Sequence, residues 1–246
     1  MKFSKTISLL TFLLLIIFMF NSCEKSDPED EEPQQEEDNN TLTDNRDGNQ
    51  YKWIKIGTQT WMAENLAYLP SVNPPSEESG TDPRYYVYGY NGSSVTEAKA
   101  ADNYNKYGVL YNWPAASAAC PTGWHLPTDE EWKALEMYLG MSQEEADKTR
   151  YRGTDEGSRL AGNSSLWDSG NLKNNAAFGT SGFTALPGGF YYSGATSGVG
   201  RYGKWWSNGI SSTRAMDRSL YYTGPQIGRG DASLKEYGYS VRCIKD

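Results

Sequence analysis

Residues 120–140 read CPTGWHLPTDEEWKALEMYLG and carry the clearest fold signal in the chain. Thr128 is followed three residues later by Glu131, a capping box in which the threonine oxygen accepts the N3 amide and the glutamate accepts the amide of Thr128. A helix is therefore predicted to start at Asp129. Asp129, Glu130 and Glu131 fall in its first turn, where unpaired amides favour negative charge. Trp132, Leu135 and Leu139 recur at helical spacing, which buries one face. Gly140 stands where a helix C′ residue takes positive φ, so the helix stops there. Just ahead of it, Cys120, Trp124 and Leu126 prepare a covalent and apolar anchorage. The stretch holds a fold together and does not read as reactive.

Outward from that element, the two ends of the 246-residue chain differ in kind. Lys2 and Lys5 form a positive n-region, residues 7–20 are nearly all apolar, and Asn21-Ser22 leads into Cys23, the pattern of an export signal. The apolar run is short for a membrane span, which needs roughly 20 residues. Its ending resembles a bacterial lipobox, so residues 1–22 are expected to be removed and Cys23 lipidated. Residues 24–50 hold eleven acidic and two basic residues with Pro28 and Pro33, the composition of a disordered, self-repelling tether. Residues 23–41 are assigned to it. Its first eighteen residues span roughly 25 Å as a coil and at most about 60 Å stretched. An acidic stretch behind the lipidated cysteine also resembles the surface-export signal of Bacteroidetes lipoproteins, which implies display outside the cell; a plain solvating spacer is the alternative.

The formal charge of −8 sits mostly in the tether, because residues 51–246 carry 19 basic and 20 acidic residues. The folded part is nearly neutral, so the low overall pI is no evidence for a calcium-binding or acidic surface, and the missing basic stripe argues against nucleic acid. With Cys23 lipidated, Cys120 and Cys243 are the remaining thiols of three, and an exported chain meets an oxidising compartment. They are predicted to pair, closing a loop of over a hundred residues worth roughly 4 to 5 kcal/mol in the chain-entropy model.

Further along, residues 50–56 alternate into a strand that Gly57-Thr58 turns back through residues 60–62, a hairpin. Residues 70–82 read as loop, and Tyr85, Tyr86, Tyr88 and Tyr90 as an extended segment. Residues 109–119 are expected to form a short helix with Pro114 in its first turn. Ser142 and Glu145 repeat the capping-box spacing and predict another. From Gly153 onward, aromatic runs at 183–186, 190–192, 204–206, 220–222 and 239–244 read as short strands between long loops. No internal repeat is visible, so residues 42–246 are read as one domain.

Five ordered blocks now make a resemblance specific: DGNQYKWIKIGTQTWMAENL (47–66), YGVLYNWPAA (107–116), ACPTGWHLPTDEEW (119–132), GFTALPGG (182–189) and GYSVRC (238–243). Together they resemble the Fibrobacter succinogenes major paralogous domain, FISUMP, over about residues 42–246. That family is known largely from lipoproteins of Bacteroidetes and Fibrobacter, without an established general activity. It is similar to the C-type lectin and formylglycine-generating enzyme group of folds, and HLPTDEEW resembles the LPTEAEW signature of those enzymes. The resemblance implies an α+β class: a single C-type-lectin-like domain with short helices, a small antiparallel sheet and long loops. It also implies a last strand lying back near the N-terminal hairpin, with Cys243 tied to Cys120.

Candidate chemistry is thin. His125 is the sole histidine, which excludes a two-histidine metal site or a second histidine base, and it reads as a positioning residue. The related oxidases bind copper through two closely spaced cysteines near the C-terminus, whereas Cys243 stands there alone. Capping and the helix dipole account for Asp129, Glu130 and Glu131, and Asp155, Glu156 and Asp168 lie in polar loops. The EPN, QPD and WND motifs of calcium-dependent lectins are missing, and Lys204-Trp205-Trp206-Ser207-Asn208 lacks an acidic calcium ligand. No metal or cofactor is expected.

What remains is eight Trp and eighteen Tyr. Trp205, Trp206, Tyr191, Tyr192, Tyr221 and Tyr222 offer flat faces to a sugar or a protein, or fill the core of a loop-rich fold. In each adjacent pair, strand alternation buries one ring and exposes the other, so both readings hold together. The sequence therefore points to a lipid-anchored surface or outer-membrane protein with a non-catalytic domain for glycan or protein ligands. An enzyme on the same scaffold and a structural surface component are the alternatives. Mass spectrometry of the exported protein is expected to find a lipid on Cys23 and no free thiol; free Cys120 and Cys243 would contradict the pairing.

Overall fold

The computed structural model describes residues 40–210 and 214–246. The export signal, Cys23 and nearly all of the tether lie outside the described residues. The strands are β1 (Thr41–Thr43), β2 (Gln50–Ile56), β3 (Gln59–Met62), β4 (Tyr85–Tyr86), β5 (Leu110–Tyr111), β6 (Trp124–His125), β7 (Arg150–Arg152), β8 (Gly188–Tyr192), β9 (Ala195–Val199), β10 (Tyr202–Ile210), β11 (Arg214–Tyr221), β12 (Gly224–Leu234) and β13 (Ile244–Lys245). The helices are α1 (Val95–Ala100), α2 (Asp102–Tyr107), α3 (Trp113–Ala116), α4 (Asp129–Tyr138), α5 (Gln143–Asp147), α6 (Glu156–Leu160) and α7 (Asn171–Asn174). The α+β class holds, but the expected small sheet does not. Strands order as β1-β2-β3-β13-β6, β7-β12-β11-β10-β8-β9 and β4-β5. The second sheet is large because the glycine-rich segment 224–234, read as loop, pairs along its length with β11.

Helix α4 is built as its sequence dictates. Thr128 accepts the Glu131 amide at 3.2 Å while Glu131 accepts the Thr128 amide at 2.8 Å, completing the capping box. Trp132, Leu135 and Leu139 are buried, and Gly140 takes φ of 119°. The Trp132 ring lies 5.0 Å from Trp61 and 5.7 Å from Phe183, which joins α4 to the hairpin. Ser142 caps α5 as expected. The helix expected over 109–119 shortens to α3, because Asn112 caps it and residues 110–111 pair with β4 instead.

Residues 238–244 connect these parts. Gly238 exchanges backbone hydrogen bonds with Tyr191 of β8, Tyr239 with Tyr111 of β5, and Ser240 joins β10 through Lys204 and Trp206. Gly238 must be bare, since a Cβ there would sit 2.7 Å from that of Tyr191. Val241 and Cys243 then accept the amides of Leu66 and Met62, and Ile244 pairs with both Trp61 and His125. Cys243 is bonded to Cys120 with Cα atoms 5.9 Å apart. Arg242 is fully buried and hydrogen-bonds to Asn65 Oδ1 at 2.9 Å and to the carbonyls of Phe183 and Thr184, with its guanidinium 4.4 Å from the Phe183 ring. Burial pushes it down to about 9, so it remains charged at neutral pH.

A second buried charge system ties α4 to the large sheet. Glu136 lies fully buried between Arg218, at 2.7 Å, and Arg152. Asp129 receives Arg218 at 2.8 Å and both arms of Arg229 at 2.9 and 2.7 Å. Burial alone would raise the Asp129 carboxyl, but the two guanidiniums hold it well below the usual range. Thus Asp129 does more than favour the helix dipole. Glu136→Leu takes the carboxylate from buried Arg152 and leaves Arg218 with Asp129 alone, and is expected to cost about 3 to 5 kcal/mol in urea unfolding; a loss below about 1 kcal/mol would contradict this role.

Candidate functional site

The strand register creates one open sheet face. Directly opposed residues share a face, so Lys204, Ser219, Gly228 and Tyr151 form a row across β10, β11, β12 and β7. Tyr202, Tyr221 and Gly224 form the row on one side, and Trp206, Asp217 and Gly230 the row on the other. The glycines of β12 keep this face low: a Cβ at Gly228 would meet Ser219 Oγ at 2.3 Å and one at Gly230 would meet Asp217 Oδ1 at 2.2 Å. The result is a groove of about 780 Å³ lined by Tyr151, Tyr202, Lys204, Asp217 and Ser233 among others. Tyr151 also borders an adjoining recess of about 320 Å³ shared with Tyr221, Thr223 and Gln226.

Its walls have distinct characters. Phe190 meets Tyr202 edge-on at 5.6 Å, Tyr202 stacks on Tyr221 at 4.4 Å, and Tyr221 meets Tyr222 edge-on at 4.8 Å, a continuous run of half-buried rings of which Tyr202 lines the groove and Tyr221 the recess. Tyr151 faces it from β7 and is 48% exposed. Arg150 just before it has φ of 67°, a left-handed bend at the start of that strand. At the other end, Lys204 Nζ lies 3.5 Å from Asp217 and 3.1 Å from the Tyr239 hydroxyl, and Ser233 donates to Asp217 at 2.6 Å. Burial would lower Lys204, but Asp217 and Tyr239 outweigh it and hold the ammonium well above its usual range. The polar end is thus an internally neutral set of donors and acceptors.

The residues singled out in the sequence separate. Tyr221 borders the recess, whereas Tyr222 lines neither cavity and packs against the core that holds Trp205 and Leu172. Trp205 and Trp206 do not present a binding face: they are 1% and 0% exposed. Alternation sends each to an opposite side of β10, but both sides are covered there. Trp205 joins the core of Trp61 and Trp132, and Trp206 joins that of Tyr111 and Tyr239. Their indole nitrogens are spent on Asn65 Oδ1 at 2.9 Å and the Tyr111 carbonyl at 2.6 Å. Tyr191 is also buried, stacked 3.9 Å from Tyr86, whereas Tyr192 is 52% exposed beside Tyr237, away from the groove lining. Cys120 and Cys243 form the disulfide, and Cys23 lies outside the described residues. Tyr151, Tyr202 and Asp217 carry no motif of their own, and Lys204 enters the sequence reading only as the start of the Lys204–Asn208 stretch; Gly224, Gly228 and Gly230 are the available sign of an uncovered sheet face.

Residues 54–245, which include every groove residue named above, match the Fibrobacter succinogenes major domain. The chain belongs to that family. No curated protein and no solved structure matches it. Among the described residues of this Fibrobacter succinogenes major domain, no group of three or more His, Cys, Asp or Glu side chains is placed to hold a metal ion.

His125 of the domain lies apart from the groove, between Asp246 at 2.6 Å and Glu131 at 2.8 Å, so one carboxylate serves both the capping box and the imidazole. Burial would lower its pKa, but those two hydrogen bonds and the accompanying charges raise it above 6.5. A raised folded-state pKa gives stability that is full below the unfolded value and lost as pH rises through the folded one. His125→Gln is therefore expected to lower the melting temperature at pH 5.5 and to have a much smaller effect at pH 9, read by thermal scans. An equal loss at both pH values would contradict the charged contact.

Proposed function

We propose that this is a lipid-anchored surface or outer-membrane protein whose domain binds a glycan or an extracellular protein without turning it over. Family membership suggests a surface-associated protein, and among the described residues no helix is long and apolar enough to cross a membrane. Lipid at Cys23 supplies the membrane attachment in this reading, and the acidic tether supplies reach. The observation that carries the binding role is the groove, where half-buried rings and a set of polar groups share one open face. Binding without turnover is supported by the pairing inside it. Lys204 is held protonated by Asp217 and Tyr239, which makes it a poor base for Ser233, and Asp217 is already engaged by both. Large amphipathic rings favour recognition surfaces, and beside the uncovered sheet Tyr151 is exposed and Tyr221 half-buried.

A pull-down with the mature full-length protein, against insoluble polysaccharides and extracellular-matrix proteins, tests this. Capture is expected, with ligand recovered unchanged, and the Tyr151→Ala/Tyr221→Ala double variant is expected to bind at least about fivefold more weakly. Unchanged capture by a folded double variant would remove the groove from the reading, and release of ligand fragments would overturn the non-catalytic role.

A further inference from the structure

Resting on that reading, we infer that the groove takes a neutral glycan, with one sugar ring slotted between Tyr151 and Tyr221 and its hydroxyls read by the Lys204–Asp217–Ser233 cluster. Three observations carry this. First, Tyr151 and Tyr221 bracket the 320 Å³ recess, whose rim of Thr223, Gly224 and Gln226 is polar or bare. Sugar rings present apolar C–H faces and polar edges, which match a slot with aromatic sides and a polar rim. Secondly, the cluster in the larger groove is self-compensated. Lys204 is matched by Asp217 at 3.5 Å, and Ser233 bridges Asp217 at 2.6 Å and the Tyr239 hydroxyl at 3.1 Å. The other charged residues of the lining do not tip this balance: Arg229 is held by Asp129, and Arg150 and Asp231 are of opposite sign. At the cluster an anionic ligand would have to compete with Asp217 for Lys204, whereas a hydroxyl, which both donates and accepts, joins it without separating a charge pair. Thirdly, the row from Tyr151 to Lys204 crosses four strands, or roughly 14 Å at the usual strand spacing, so recess and cluster are reached by one short oligosaccharide. A protein partner is less well matched, because polar groups and bare glycine backbone interrupt the rings.

The test is a glycan array and calorimetric titration of the mature full-length protein in detergent. Neutral probes are cello-, xylo- and manno-oligosaccharides; anionic probes are oligogalacturonate, hyaluronan and heparin. The expected result is binding of a neutral probe whose Kd changes by less than about twofold between roughly 0.05 and 0.5 M salt. Affinity is expected to fall at least about fivefold in Tyr151→Ala and in Tyr221→Ala, and to be retained in Tyr221→Phe, which keeps the ring. Binding confined to anionic probes, steeply salt-dependent and lost in Lys204→Met, would overturn neutrality while leaving the groove as the site. Binding that survives both alanine variants would remove the groove itself. Binding of no probe would overturn the glycan inference, and a protein captured through Tyr151 and Tyr221 would then still satisfy the broader reading.

Discussion

The backbone of residues 238–244 is the constraint on which the rest of the domain depends. In seven residues it hydrogen-bonds to β8, β5, β10, β3 and β6 and carries the disulfide to Cys120. Each contact is long-range, so the segment adds closure to elements that are individually short. Strands of two residues such as β5, β6 and β13 have little stability of their own. They persist because one chain segment satisfies their backbone groups from the middle of the fold. Arg242 shows the cost of such a position, as a buried cation held by carbonyls, one amide oxygen and an aromatic ring rather than by a carboxylate in direct contact.

The same sheet faces two ways, and the two faces differ in chemistry. On its inner side Arg218, Arg152 and Arg229 meet Glu136 and Asp129 of α4, so each guanidinium has a carboxylate partner where water is largely excluded. Its other side carries the Tyr202, Tyr221, Lys204 and Tyr151 face. Fixing the inner side rigidly orients the outer one, which is what a binding surface needs if ordering costs are to stay low.

Local chemistry made some of this legible. Thr128 with Glu131, Ser142 with Glu145 and the terminal Gly140 carry their own geometry, and the β2–β3 hairpin carries its alternation and its turn. Ser94 and Glu97 have the same capping spacing at the start of α1, and the Ser94 side chain accepts the Glu97 amide. Strand β12, GPQIGRGDASL, had no such signal, since glycine and aspartate disfavour strands and only pairing with β11 and β7 makes it one. Alternation at Trp205 and Trp206 was legible, but the covering of both faces comes from residues 238–241 and α4, which lie far away in sequence. Tyr151 illustrates the remaining gap: its placement depends on the bend at Arg150 and on the register with Gly228.

In the proposed reading the recognition surface is made of rings on the open sheet face, since the tryptophan pair is buried. Hydroxyl-radical footprinting of the mature protein, with and without a mixture of neutral plant oligosaccharides, bears on this most directly. Tyr151, Tyr202 and Tyr221 should be oxidised in the free protein and protected together on addition, while Trp205 and Trp206 stay unreactive throughout. Oxidation of the two indoles in the folded free protein, or protection confined to Tyr192 and Tyr237, would contradict it.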